Sequence, residues 1–320
     1  MLHTNEALRV IDFHNHFMPQ RLQEAVVRAA PATERPRWEG IAQRLSDEDL
    51  LLQRVHEGEL SARVVNIPPA LIADADGHVA HGTLMALNDD LAELVARHPN
   101  RLHGLASVDA YDGDRAGREA ERAIRDLGLR GLHVDCARGA LFINAPQARP
   151  TLEVAAKFGV PVFIHPVAPE PLTTQMAAYG PIGALFARGT ANSASLIALV
   201  EGGVFSELPG LRVVVTAMAL GGLAMAAGLS NRSLMPGGAS EVLRQHVYMD
   251  TTVIHPAWLR ASIDFLGAEN VIAGSDWPIV EAPLRSRLSE AMRAAGLSDA
   301  EQQAIAGGNA LRLLGIEARD

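Results

Sequence analysis

Two histidines stand one residue apart at the end of an apolar run, in "LRVIDFHNHF". Side chains at i and i+2 of an extended segment share a face, so His14 and His16 project together. Such a pair fits three readings: exposed on an edge strand, separately hydrogen-bonded in a core, or chelating a metal. A third imidazole, His165, closes the apolar run "VFIHP", and a carboxylate, Asp276, closes "VIAGSD". Each of these alone has an ordinary structural explanation, a satisfied core histidine or an aspartate capping a turn. Should the ends of the three runs converge, the set is three nitrogens and one oxygen. That set suits zinc, and also iron or manganese with added waters. A close-packed interior of Val and Ile offers no cheap way to bury four such groups unpaired.

Convergence needs elements that bring those ends to one place. Eight apolar runs of strand length recur in order: Arg9–His16, Ala62–Pro68, Leu102–Asp109, Gly131–Cys136, Pro161–Pro166, Arg212–Ala217, His246–Thr251 and Val271–Asp276. Most are rich in β-branched residues and several lack strict alternation, the pattern of strands buried on both faces. Between them lie helical patterns. "SDEDLLLQRVHEG" opens on Ser46 with Asp49 three residues on and ends at Gly58, close to a capping box. "NDDLAELVARHPN" spaces Leu91, Leu94 and Val95 helically, and "DRAGREAERAIRDLG" and "TLEVAAKFG" both end in glycine. Strands alternating with helices in this number predict an α/β chain folded as a (β/α)8 barrel. A doubly wound open sheet would announce a G-x-G-x-x-G turn after its first strand, where this chain has His-Asn-His. The segments "PATERPRWEG" and "PEPLTTQMAAYGPIG" read as loops over the barrel mouth, so residues 1–320 are assigned to one domain. Chemistry in such barrels sits at the C-terminal strand ends, where all four candidate ligands fall.

Composition narrows the function further. The chain has 320 residues, 48% of them hydrophobic, enough for one large domain or two ordinary ones. A net charge of -9 with no basic run speaks against nucleic acid as a partner. The lone cysteine, Cys136, excludes an intrachain disulfide framework and a cysteine-rich metal knot. The most apolar stretch, Val213–Leu229, is short for a membrane span, holds three glycines, and divides into strand, turn and helix. No basic-then-apolar leader precedes the first strand, so the expected location is cytoplasmic with no membrane partner. Lys157 is the only lysine, a bias that base composition explains without function.

The stretches "IDFHNHF", "VFIHP", "GSDWP" and the closing "GNALRLLG" resemble the amidohydrolase superfamily. More narrowly they are similar to its branch containing aminocarboxymuconate semialdehyde, γ-resorcylate and 5-carboxyvanillate decarboxylases and oxalomesaconate hydratase. The similarity spans nearly the whole chain, including "NDDLAELVARHPNRLHGLASV" and "LGLRGLHV". The resemblance implies that His14, His16, His165 and Asp276 hold metal, with Asp276 doubling as a proton carrier. Binuclear relatives use a lysine at the end of strand four. That strand ends here in "HVDC", so one ion per chain is expected, Zn2+ or else Mn2+ or Fe2+. His133 and Asp135 share a face there, either lining the pocket or touching metal, or forming a hydrogen-bonded pair inside the barrel. Asn66 and Trp277 are expected pocket walls. Strand six departs from the family pattern T-H-x-G-G: Thr216, Ala217 and Met218 stand where its histidine would be, although Gly221 and Gly222 keep the turn. His255 after strand seven, or Asp276 alone, would have to take that role. Arg44 and Arg54 lie near the place of the family's substrate-binding arginine, without a clean register. The implied activity is a metal-dependent, non-oxidative decarboxylase of an aromatic or enol-type carboxylic acid. The alternative is a hydrolase of a lactone, amide or C–C bond using a metal-activated water. A retired, non-enzymatic scaffold is the third reading, and four intact ligands argue against it. The resemblance also implies a small-molecule carboxylate or cyclic substrate, and a homodimer.

Overall fold

The computed structural model describes residues 8–317 apart from 31, 33 and 75. Eight short parallel strands follow one another: β1 (Ile11–His16), β2 (Ala62–Asn66), β3 in two segments (Leu102–Gly104 and Ala106–Ser107), β4 (Leu132–Asp135), β5 (Pro161–His165), β6 (Arg212–Val215), β7 (Val247–Asp250) and β8 (Val271–Ile272). Each falls inside one of the eight predicted runs. Neighbours in space are neighbours in sequence. The first segment of β3 pairs with β2 and the second with β4. Leu105 between them still donates its N–H to Val65 O at 2.9 Å. The ring closes between β8 and β1. Phe13 N–H donates to Ala273 O at 2.8 Å, His16 N–H to Trp277 O at 2.9 Å, and Asp276 N–H to His14 O at 3.0 Å. Closure makes this a (β/α)8 barrel rather than an open doubly wound sheet.

The helical patterns hold, with two corrections. Asp47, not Ser46, caps the helix Glu48–His56, its carboxylate accepting the Leu50 N–H at 2.9 Å. Ser46 instead donates to Ala42 O at the end of the preceding helix. The segments after β1 and β5, predicted as loops, are largely helical: Arg35–Leu45, Leu172–Met176 and Gly180–Glu201. Pro36 and Pro181 sit in the first turn of their helices, where a missing N–H has no intrahelical partner to lose. Val213–Leu229 divides as predicted into β6, a turn and the helix Leu220–Gly228. Among the described residues no helix is long and apolar enough to cross a membrane.

Ile11, Phe13, Val64, Phe163, Val214 and Tyr248 come from strands around the ring and form one buried cluster, the floor of the barrel. Ala310, Leu311 and Leu313 of the closing segment join that cluster and plug the bottom. Asn309 ties the plug in place, donating to Ala268 O and Val271 O, each at 2.7 Å. Strict alternation from Ile11 and Phe13 would carry His14 and His16 to the outer face. A bulge prevents this. Asp12 pairs with Arg63 and Asn15 with Val65, so three steps on β1 match two on β2. The extra residue switches the parity. Phe13 and His14 both turn inward, His16 follows, and Asp12 and Asn15 face out towards Arg63.

Candidate active site

At the C-terminal rim, His14, His16, His165 and Asp276 each present one donor atom, all within 4.8 Å of one another. His14 Nε2 lies 3.2 Å from His16 Nε2, and Asp276 Oδ1 lies 3.4 and 3.1 Å from the two. Their other ring nitrogens are engaged. His14 Nδ1 donates to Asp250 Oδ2 at 2.7 Å and lies 2.9 Å from Thr252 Oγ1, while His16 Nδ1 donates to Asn66 Oδ1 at 2.8 Å. With Nδ1 protonated, both Nε2 lone pairs point at each other and at a carboxylate oxygen. Three buried lone pairs at this spacing repel unless a cation lies among them. Separations near 3 Å fit donors each about 2.0–2.2 Å from a shared ion.

The electrostatics agree. Burial holds His16 below the usual histidine range and His165 well below it, so both offer neutral nitrogens. Burial also opposes charge on His14, but Asp276 and Asp250 together override it and raise that group. A cation among these donors would compete with a proton on His14. Burial opposes charge on Asp276 too, yet His14 and His16 hold its carboxyl below the ordinary value.

Asp276 adopts φ +65°, a left-handed conformation that costs a non-glycine residue on the order of 1 kcal/mol. A buried network behind the site fixes it. The N–H and hydroxyl of Ser275 donate to the two oxygens of Asp12 at 2.9 and 2.6 Å. Arg63, 1% exposed, lies 3.5 Å from Asp12 Oδ2, donates to Asn15 Oδ1 and stacks 4.7 Å over the Trp277 ring. Burial pulls Arg63 down to about 10 and raises the Asp12 carboxyl, so desolvation outweighs attraction for both partners. Gly274 completes the packing, because a Cβ there would lie 3.0 and 3.1 Å from the Cβ atoms of His14 and Asp250.

The remaining candidates divide. His133 lines the site, its ring centroid 5.2 Å from His165 and 6.3 Å from His16. It is not hydrogen-bonded to Asp135: both its ring nitrogens and Asp135 Oδ1 are buried without partners. Asn66, expected as a pocket wall, is instead the hydrogen-bond partner that orients His16. Trp277, expected as a pocket wall, is buried with the Arg63 guanidinium stacked over its ring. His255 is exposed and caps the helix Pro256–Leu266, its ring accepting the Ala257 N–H at 3.2 Å. That contact is a sufficient reason for a histidine there. Arg44 pairs with Glu281 at 3.1 Å and Arg54 with Glu59 at 2.9 Å, so both charges are already met by carboxylates of neighbouring loops. At the strand-six departure, the Ala217 N–H donates to Asp250 Oδ1 at 2.8 Å, and its carbonyl accepts from Trp258 Nε1 at 3.0 Å.

Sequence reading missed Asp250. Asp250 closes β7 in "VYMD", and the rule that strand ends face the mouth could have found it. Asp250→Asn is expected to weaken divalent-ion affinity about 10–100-fold by loosening the His14 ring, with fold unchanged. Competition against a chelating dye checks this, and unaltered affinity contradicts it.

A parallel barrel with three imidazoles and a carboxylate converging on its C-terminal rim is the architecture of metal-dependent amidohydrolases. The chain belongs to the amidohydrolase family, whose model matches residues 11–316. It is 28% identical over 308 residues to the γ-resorcylate decarboxylase of Rhodococcus jostii, covering 88% of this chain and 91% of that one. It is 24% identical over 287 residues to 2-amino-3-carboxymuconate-6-semialdehyde decarboxylase of Dictyostelium discoideum, covering 85% and 77%. The crystal structure of 5-carboxyvanillate decarboxylase from Sphingomonas paucimobilis matches with a TM-score of 0.82 and 25% identity, over 97% of this chain and 100% of that one. A dihydroxybenzoic acid decarboxylase from Polaromonas, solved with manganese and 2-nitroresorcinol, shares the fold: TM-score 0.81, 24% identity, 96% and 97% covered.

Proposed function

We propose that this protein is a single-domain, metal-dependent, non-oxidative decarboxylase of an aromatic or enol-type carboxylic acid. One divalent ion per chain would be held by His14, His16, His165 and Asp276. The observation that carries the reading is the convergence of buried lone pairs on the rim, in a chain whose relatives are decarboxylases. The three-nitrogen, one-oxygen set suits zinc, and the manganese in the Polaromonas structure supports manganese equally. A bound divalent ion supplies electrophilic stabilisation of negative charge developing on substrate oxygens.

The chain's own residues supply the rest. The carbon–carboxylate bond breaks, carbon dioxide leaves, and the electron pair left on carbon takes a proton. Asp276, its side chain 18% exposed towards the mouth, is placed to carry that proton. Its strained backbone keeps the carboxylate aimed, since strain of this kind persists only where the surroundings over-determine it. His133 and Asp135 form the β4–β5 wall. Burial and the neighbouring Asp109 push the Asp135 carboxyl up to about 7, against the pull of Arg188. Below that pH it is neutral and can donate to an anionic substrate; above it, its charge repels one. The value of kcat/KM is therefore expected to fall as pH rises through about 7. In Asp135→Asn that limb disappears, and pH–rate profiles of both proteins check it.

The test of the reaction is carbon dioxide release from a panel of hydroxybenzoates and enol acids by metal-loaded protein. Release supports the reading, and none across a broad panel counts against it. Labelled oxygen from water appearing in product would mark a hydrolase instead.

We also infer a cytoplasmic homodimer. Tyr179, Ile182 and Phe186 at the start of the helix after β5, with Met225 and Leu234 beyond β6, are 57–81% exposed. Apolar surface of this extent favours a partner. Light scattering at the monomer mass would contradict the dimer.

A further inference from the structure

Several buried polar atoms around the rim have no hydrogen-bond partner among the described residues. On the β1 side, Nδ1 of His14 and of His16 are hydrogen-bonded to Asp250 and Asn66, their Nε2 atoms face Asp276, and Asn66 Nδ2 is buried without a partner. On the β4–β5 side, both nitrogens of His133, Asp135 Oδ1, His165 Nδ1 and Arg188 Nε are buried with none. Buried polar groups are normally paired, so a cluster of unpaired ones on one wall marks where a polar occupant sits.

Arg188 is the unusual member. It lies on the helix Gly180–Glu201 that follows β5, and Nη2 donates to Pro166 O at 3.1 Å, one residue beyond His165. Arg44, Arg54, Arg122, Arg138 and Arg149 are comparably half-buried, with side chains 21–28% exposed, and each faces a carboxylate within 4.0 Å. Among the described residues Arg188 faces none at that distance; Arg212, Arg285 and Arg287 share that lack, but only Arg188 is held beside the rim, through Pro166. Its charge nevertheless reaches Asp135, His165 and Asp276, lowering the two carboxyls and opposing a proton on the imidazole. A half-buried guanidinium without a counter-charge, beside a candidate metal centre, is suited to a bidentate anion.

We propose that Arg188 recognises the substrate's carboxylate, supplying from the helix after β5 the cation that neither Arg44 nor Arg54 can provide. The unpaired Asp135 and His133 beside it select an acid bearing a second polar group next to that carboxylate. This rests on the acid-substrate reading above and adds the residue that enforces it.

The test is calorimetric titration of metal-loaded wild type, Arg188→Gln and Arg188→Lys with benzoate and, separately, with phenol. Benzoate carries the carboxylate without a ring hydroxyl to assist loss of carbon dioxide, so binding is read without turnover. Wild type is expected to prefer benzoate. In Arg188→Gln benzoate binding weakens about 10–100-fold while phenol binding holds, and Arg188→Lys recovers part of the loss. Metal content equal to wild type shows that the variants fold. Equal benzoate affinity in wild type and Arg188→Gln, or no preference for benzoate in wild type, overturns the proposal. The two readings fail separately. Absence of carbon dioxide release with Arg188-dependent benzoate binding overturns the reaction alone, whereas turnover by Arg188→Gln at unchanged KM overturns the role of Arg188 alone.

Discussion

Asp276→Asn is expected to lower kcat/KM by about a thousandfold or more while leaving the barrel folded. The substitution removes two things from one position. An amide oxygen is a weaker donor to a cation than a carboxylate, and an amide cannot carry a proton at neutral pH. The carboxylate is held there by contacts the variant keeps: its own N–H on His14 O, and the Ser275 pair on Asp12. Circular dichroism and thermal unfolding should therefore match wild type while turnover collapses. Asparagine tolerates positive φ better than most residues, so backbone strain does not confuse the comparison. Retained activity within tenfold would mean that Asp276 neither binds metal nor moves the proton.

The second large effect lies outside the pocket. Arg63→Met is expected to destabilise the protein by about 3–5 kcal/mol, because it leaves the buried Asp12 carboxylate without its counter-charge. The pair itself is not a strong source of stability, since burial disfavours the charge on both members. Breaking one side exposes the full desolvation cost of the other. Combining Arg63→Met with Asp12→Asn should recover much of the loss, a coupling that urea unfolding of the four proteins measures directly. Additive losses would show that Arg63 and Asp12 act independently. Because Asp12 holds Ser275, the single variant should also bind metal more weakly than its stability alone explains.

Strand order and the four convergent donors were legible because each strand is a short apolar run with a distinctive terminal residue. His165 and Asp276 could be placed by the rule that barrel chemistry sits at strand ends. The bulge in β1 was not legible. Counting in twos from Ile11 and Phe13 sends His14 outward, and only pairing with β2 reveals the extra residue. Asn66 was found for its position but not for its bond to His16, since a strand-end amide can face substrate or a neighbouring imidazole equally well. The stacking of Arg63 on Trp277 was hidden too, because the two are distant in sequence and no local pattern announces the contact. The helical segments after β1 and β5 were hidden by prolines that read as loop markers yet occupy first-turn positions. Arg188 carries no signal in a chain where 27 of 28 basic residues are arginine.

The central claim is that the four donors hold one divalent ion, and metal content tests it most directly. Purified wild type and His14→Ala should be dialysed against metal-free buffer and analysed by elemental mass spectrometry, alongside samples reloaded with zinc or manganese. Wild type is expected to hold about one ion per chain and His14→Ala to lose most of it, because the substitution removes one of four ligands. Wild type that neither retains nor takes up a divalent ion would contradict it, and would leave the three histidines and Asp276 as barrel packing.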